Sequence, residues 1–336
     1  MKHDRALSYA AFAVVCIVWG TTYLAIRIAV TTMTPFLLTG ARYLFAGIVL
    51  FIIAKLHGDE IPKSRRVLGD VMLCGVLMVA IGNLTVVWAE QWVPSGFAAL
   101  FVGTAPFWAT LLELMRRSGE RIARRAAIGL LIGFAGVAML VTPRGAGNAF
   151  DRRFVIGALV IQLGSIAWQY GTIRGKYALA SIPPLMSSAL QMLAGGFVVT
   201  LAGVGLGEIP HFHSTPRTFA ALAYLSLVGS VLAYTSYTYA ARHLRSTNMS
   251  LYAYVNPVVA VILGWLVLHE QLTWVSIIAM TVILGGVAMV QSGRGPKRNV
   301  TIRAKRRGRG RRRLVRCFAR GSHSSSLPSP SSLRSR

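Results

Sequence analysis

The stretch PFLLTGARYLFAGIVLFIIAKL, residues 35–56, and the stretch PLMSSALQMLAGGFVVTLAGVG, residues 184–205, decide how this chain is built. Each opens on a proline, Pro35 and Pro184, and each carries a glycine at the same later position, Gly47 and Gly196. Both are acid-free and long enough to cross the hydrocarbon core of a bilayer as a helix. The offset of 149 positions also links Trp19 to Trp168. Further along it becomes 151 for Trp88 and Tyr239, Ser95 and Ser246, and Pro106 and Pro257. It is 150 for Glu120 and Glu270, and for Gly136 and Gly286. Small drifts of this kind belong to loops, where insertions are tolerated.

Working outward from the pair, apolar runs recur along the whole chain. Ten are legible, at roughly 9–30, 35–56, 67–88, 95–115, 125–142, 154–172, 183–206, 218–240, 248–268 and 273–291. They are too long and too rich in Leu, Ala and Gly for barrel strands, and lipid requires each segment to satisfy its own backbone, so helices are expected. The expected fold is an all-α membrane protein of ten transmembrane helices, arranged as two inverted five-helix repeats. An odd number of spans per repeat places the copies in opposite orientations. The expected units are 1–146, 147–293 and a basic Ser/Pro-rich tail at 294–336. With 54% hydrophobic and 14% charged residues, a soluble chain of this length is excluded.

The net charge of +26 is uneven, for the tail holds 15 Lys/Arg and no acid, leaving 21 Lys/Arg against 10 Asp/Glu. With a cytoplasmic N-terminus, most of those cations fall in cytoplasmic loops, as the positive-inside rule requires. The loop around Glu120 is arginine-rich, and its counterpart around Glu270 carries no Lys or Arg. Equivalent loops have exchanged charge, which suits oppositely inserted copies. Both termini are therefore expected in the cytoplasm, with the protein multi-pass in the inner (plasma) membrane. The tail cannot bury enough apolar surface to fold alone and is expected to be disordered. Its charge fits anionic lipid, and it lacks the interleaved aromatics of nucleic-acid readers, so no nucleic acid is expected as a partner.

Enzymatic constellations are thin. His269-Glu270 lacks a second His at helical spacing, and His211 and His213 lack a third ligand. No catalytic residue, cofactor or metal is expected. Polar groups inside the spans carry more information, because lipid tolerates them only where they face a cavity or a partner helix. Arg42, about a third of the way into span 2, either receives an anionic group or is tied to backbone carbonyls nearby. Its repeat partner is Gln191. Trp19 and Trp168 form a second symmetric pair, whose indole N–H groups want polar partners. Arg27 reads as an interfacial anchor, while Glu90 and Glu113 lie near span ends, so a deep proton-relay carboxylate is not obvious.

Pro106 and Pro257, inside spans 4 and 9, each remove a backbone donor and are expected to act as hinges or kinks. Gly129, Gly133 and Gly136 in span 5, with Gly285 and Gly286 in span 10, permit close helix approach, within the chain or across a homodimer.

At these residues the chain resembles the EamA-like branch of the drug/metabolite transporter superfamily. The resemblance rests on Val18-Trp19-Gly20-Thr21-Thr22, Gly40-Ala41-Arg42-Tyr43, Pro106 and Gly119-Glu120-Arg121. It continues through Tyr239-Ala240-Ala241-Arg242-His243-Leu244, Val255-Asn256-Pro257 and Leu268-His269-Glu270-Gln271-Leu272-Thr273. It implies a ten-helix alternating-access carrier of small metabolites or drug-like molecules, with export the expected direction. On that expectation Trp19, Thr22, Arg42, Asn83, Trp88, Trp168, Gln169, Gln191, Tyr234, Tyr237 and Asn256 would meet the small-molecule substrate. The alternative is a non-transporting membrane sensor or scaffold that signals through the basic tail.

Overall fold

A computed structural model describes residues 2–116, 124–140, 142, 150–243 and 252–292. The chain divides into two units, Met1–Gly295 and Pro296–Arg336, and everything described belongs to the first. The loop around Glu120, the side chains of Glu113 and Arg242, and the basic tail lie outside the described residues.

The described residues are helical throughout, with no strand among them. The helices are α1 (Lys2–Ala29), α2 (Pro35–Leu56), α3 (Arg65–Ala89), α4 (Ser95–Val102), α5 (Ala105–Arg116) and α6 (Arg124–Leu140). They continue as α7 (Arg152–Ala178), α8 (Pro184–Gly205), α9 (residues 216–243), α10 (Tyr252–Leu268) and α11 (Trp274–Ser292). Among the described residues, seven helical stretches are long and apolar enough to cross a membrane: six in α1, α2, α3, α7, α8 and α9, and a seventh, Ser95–Leu112, that runs through α4 into α5. Shorter apolar stretches occupy α6, α10 and α11. Large apolar side chains such as Leu131, Leu159, Leu163, Phe197 and Trp274 stand exposed, a surface that suits lipid rather than water.

The 149-residue offset reappears in local conformation. Pro35 and Pro184 both open a helix, where the fixed φ of proline suits the first turn and its missing N–H removes nothing. Gly58 and Gly207 end those helices at φ 82° and 74°, and the next N–H closes back on the helix, Asp59 onto Ala54 and Glu208 onto Gly203. Such left-handed terminations favour glycine. In α3 the segment Val76–Asn83, and in α9 the segment Leu225–Leu232, are wound as π-helix, again 149 positions apart. Wide turns of this kind gather at functional sites.

Equivalent helices pair antiparallel. Along α2 and α8, Cβ atoms built on Gly203, Gly196 and Gly47 would fall 2.8 Å from Phe36 Cβ, 3.0 Å from Leu44 N and 2.9 Å from Leu193 Cγ. The partner number falls as the first rises, so the two helices run in opposite directions. In α6 and α11 a Cβ on Gly136 would lie 2.8 Å from Ile283, and one on Gly286 2.6 Å from the Gly133 nitrogen. Gly129, Gly133, Gly136 and Gly286 are therefore engaged in this pairing within the chain, whereas a Cβ on Gly285 would meet nothing within 4 Å. The first helix of each half lodges in the other half: α1 packs on α9 and α10, and α7 packs on α3, α4 and α5.

Span 4 differs from its counterpart. It breaks at Gly103-Thr104 just before Pro106, whereas Pro257 lies inside the continuous α10. Gln162 of α7 holds the break together. It accepts from Thr104 Oγ1 and Trp108 Nε1, both at 2.8 Å, and donates to the Phe101 carbonyl at 3.1 Å.

Candidate functional site

The two π segments and the two exchanged first helices meet at a central cavity of about 90 Å³, room for several waters. Its wall includes Trp19, Thr22, Tyr23, Arg42, Asn83, Trp168, Gln169, Tyr234, Tyr252 and Asn256. The tryptophans cross between the halves. Trp19 of α1 donates its indole N–H to the Gly229 carbonyl in the second π segment, at 3.2 Å. Trp168 of α7 covers Gly82 in the first π segment, where a Cβ would meet its side chain at 3.1 Å. The two indoles meet edge to face, with ring centroids 6.3 Å apart. Tyr252 stands edge-on to Trp19 at 5.5 Å. An aromatic box of this kind gives apolar area with few rotatable bonds.

Among the described residues, Arg42 is the one Lys or Arg that lines the cavity. It is 3% exposed, and its Nε donates to Ser230 Oγ at 2.9 Å. The guanidinium lies 4.9 Å from the centroid of the Tyr43 ring. Among the described residues its Nη1 has no hydrogen-bond partner, nor does Asn83 Oδ1. Buried polar atoms normally find partners, and those that do not call for an explanation. The wall therefore presents an unused cationic donor and an unused acceptor among aromatic rings. Asn256 faces the carbonyls of Cys16 and Tyr252 at 2.8 and 3.2 Å, so its amide nitrogen belongs on that side. Thr22 closes locally onto the Trp19 carbonyl at 2.7 Å.

Of the residues singled out in the sequence, Trp19, Thr22, Arg42, Asn83, Trp168, Gln169, Tyr234 and Asn256 come together in this wall. Three do not. Trp88, near the end of α3, meets Trp92 edge to face with centroids 4.6 Å apart. Gln191 turns back along its own helix, donating to Ser187 Oγ at 2.9 Å and to the Ser187 carbonyl at 3.1 Å. Tyr237 stacks behind Trp19 at 5.1 Å and forms a second layer. Tyr23, Tyr43, Ser165 and Tyr252 line the cavity without having been singled out. Tyr43 and Tyr23 sit beside selected residues, and that adjacency was the available signal.

The span ends also differ from expectation. Arg27 is partly buried, and its guanidinium donates to the Glu90 main-chain carbonyl. Glu90 is fully buried. Glu270, in the turn after α10, caps the N-terminus of α4 by accepting from Ser95 N at 2.8 Å, Ser95 Oγ at 2.9 Å and Gly96 N at 3.2 Å. A carboxylate at a helix start satisfies orphan donors and opposes the helix dipole. A second pocket of about 390 Å³ opens here, lined by Arg27, Gln91, Arg217 and Glu270 among others. Among the described residues no group of three His, Cys, Asp or Glu could hold a metal ion.

Comparison with known proteins places this geometry in a family of carriers. The EamA-like transporter family matches residues 6–142 and again residues 155–292. The uncharacterized inner membrane transporter YedA of Escherichia coli K12 is 36% identical over 287 residues, covering 85% of this chain and 91% of its own. The uncharacterized transporter YoaV of Bacillus subtilis is 21% identical, over 82% of this chain and 93% of its own. A solved crystal structure superposes with a TM-score of 0.62 at 20% identity, covering 84% of this chain and 95% of its own, a likeness of fold alone.

Proposed function

The chain belongs to the EamA-like transporter family, and from that premise we propose a secondary carrier that moves a small metabolite or drug-like molecule by alternating access, in the export direction. Ten spans form two inverted repeats, 1–146 and 147–293, followed by the tail at 294–336. Both termini face the cytoplasm, and the protein resides in the inner membrane. The antiparallel pairing of α2 with α8 and of α6 with α11 supports this reading. So does the cavity at the junction of the exchanged helices, where inverted-repeat carriers bind their substrates.

One observation carries the binding site: a buried guanidinium with a free Nη1 inside an aromatic wall. Arg42 receives the polar or anionic end of the substrate, and Trp19, Trp168, Tyr234 and Tyr252 hold its apolar body. Thr22, Asn83, Gln169 and Asn256 supply polar contacts, and Trp88, Gln191 and Tyr237 act from behind the wall. Pro106 and Pro257 allow spans 4 and 9 to bend as access changes. The test is flux: purified protein in liposomes is challenged with amino acids, nucleosides and organic cations. Uptake or release of at least one compound above protein-free liposomes is expected. Movement of none would count against the carrier.

A further inference from the structure

Glu90 sits in the wall that separates the central cavity from the second pocket. One turn back on α3, Val86 lines the cavity, and the Glu90 N–H bonds to its carbonyl at 3.0 Å. One residue on, Gln91 lines the second pocket. The facing helix repeats the pattern, with Tyr23 and Ile26 of α1 on the cavity side and Arg27 and Ile28 on the pocket side. Glu90 itself is 0% exposed, and among the described residues neither carboxylate oxygen has a hydrogen-bond partner. The contrast with Glu270 on the same side is chemical. Glu270 accepts three hydrogen bonds at a helix start. Glu90 accepts none, and a bare carboxylate cut off from water is unfavourable beside the neutral acid.

The charged and titratable groups facing Glu90 are Tyr23 and Arg27 of α1, Arg42 of α2 and Glu270 after α10. On the α7 side, Gly157 packs against Ala89 and brings no charge. The second pocket, where a rearranged Glu90 would emerge, carries the cations Arg27 and Arg217. A carboxyl in this position is neutral while walled in and ionised once it reaches those cations and water.

We propose that Glu90 is a proton-binding site that couples substrate movement to the proton gradient. The proposal rests on the carrier reading above. A hydronium ion in the second pocket gives one proton to one carboxylate oxygen and is left as water, and the wall closes on the neutral acid. When the wall opens toward the central cavity, the carboxyl O–H breaks and a water there takes the proton as hydronium. One O–H bond forms for each that breaks, and nothing is oxidised or reduced.

Two measurements on the full chain in liposomes test it. In the first, dicyclohexylcarbodiimide, which attacks protonated carboxyls in apolar surroundings, is applied from mildly acidic to alkaline pH, and modified peptides are quantified by mass spectrometry. Glu90 is expected to label at low pH and to lose labelling as pH rises. Absence of label on Glu90 at every pH overturns the proposal. In the second, lumenal pyranine reports proton movement while the amino-acid, nucleoside and organic-cation panel is added. A compound that moves is expected to bring a pyranine signal, lost in Glu90→Gln and kept in Glu208→Gln, an acid that caps α2 through the Leu37 N–H at 3.0 Å. A moving compound with no pyranine signal in the wild type, or an unchanged signal in Glu90→Gln, overturns the coupling while the carrier stands. If no compound moves, the carrier reading falls and the coupling with it; carbodiimide labelling then reports Glu90 chemistry alone.

Discussion

Arg42 and Gln191 hold the same register on α2 and α8, helices that pair antiparallel along their length. They behave differently. Arg42 reaches the cavity with its buried Nη1 unpartnered among the described residues, whereas Gln191 spends its amide on Ser187 one turn back. The surroundings decide this. Ser230, in the second π segment, meets Arg42 from across the junction. Gln191 has a serine on its own helix within reach, and its backbone lies against Gly75. The two antiparallel helices share one frame, and the unlike side chains at matched positions put the charge on one side of it.

The comparison can be broken or sharpened by mutation. Arg42→Gln should weaken apparent affinity for the transported compound about 10–100-fold, since a hydrogen bond to a charged group contributes about 1.5–3 kcal/mol. Gln191→Ala should change KM far less, and equal losses in the two variants would erase the asymmetry. Arg42→Lys should recover only part of the loss, because an ammonium lacks the planar fork. Next in size is the helix pairing that frames both residues. Gly286→Ala drives a methyl into the Gly133 backbone and should lower stability by about 1–3 kcal/mol, read as an earlier thermal midpoint in detergent. Gly285→Ala, with nothing within 4 Å of the new carbon, should not lower it. Ser230→Ala removes the Nε partner of Arg42 and should weaken binding by about 0.5–1.5 kcal/mol, measured as a few-fold rise in KM. Deleting residues 294–336 should leave flux unchanged, and its loss would favour the scaffold alternative.

Much of the helix plan was legible in the sequence, because apolar runs and paired prolines and glycines are strong linear signals. The α2/α8 correspondence could be read from Pro35, Gly47, Pro184 and Gly196 before any coordinates. Which side chains face the cavity was legible only in part. Trp19 and Arg42 stood out because a polar group in lipid needs a reason. Tyr43 did not, because a tyrosine beside an arginine has no distinctive linear signal. Gln191 was selected by symmetry alone, and symmetry does not specify local partners. The π windings left no trace in the reading, since a one-residue change in winding does not alter apolar composition. Glu90 looked like an edge acid because distance along a span says nothing about how deeply neighbouring helices cover its end.

The bond from the Trp19 indole to the Gly229 carbonyl joins positions 210 residues apart. As the chain emerges from the ribosome, the N-terminal helix therefore enters the bilayer long before its seat has been synthesised. Until α9 is made, Trp19 must rest on lipid or on a temporary neighbour. Assembly waits on this late closure: long-separated contacts form slowly, and a truncated first half lacks the α9 and α10 surfaces on which its leading helix packs.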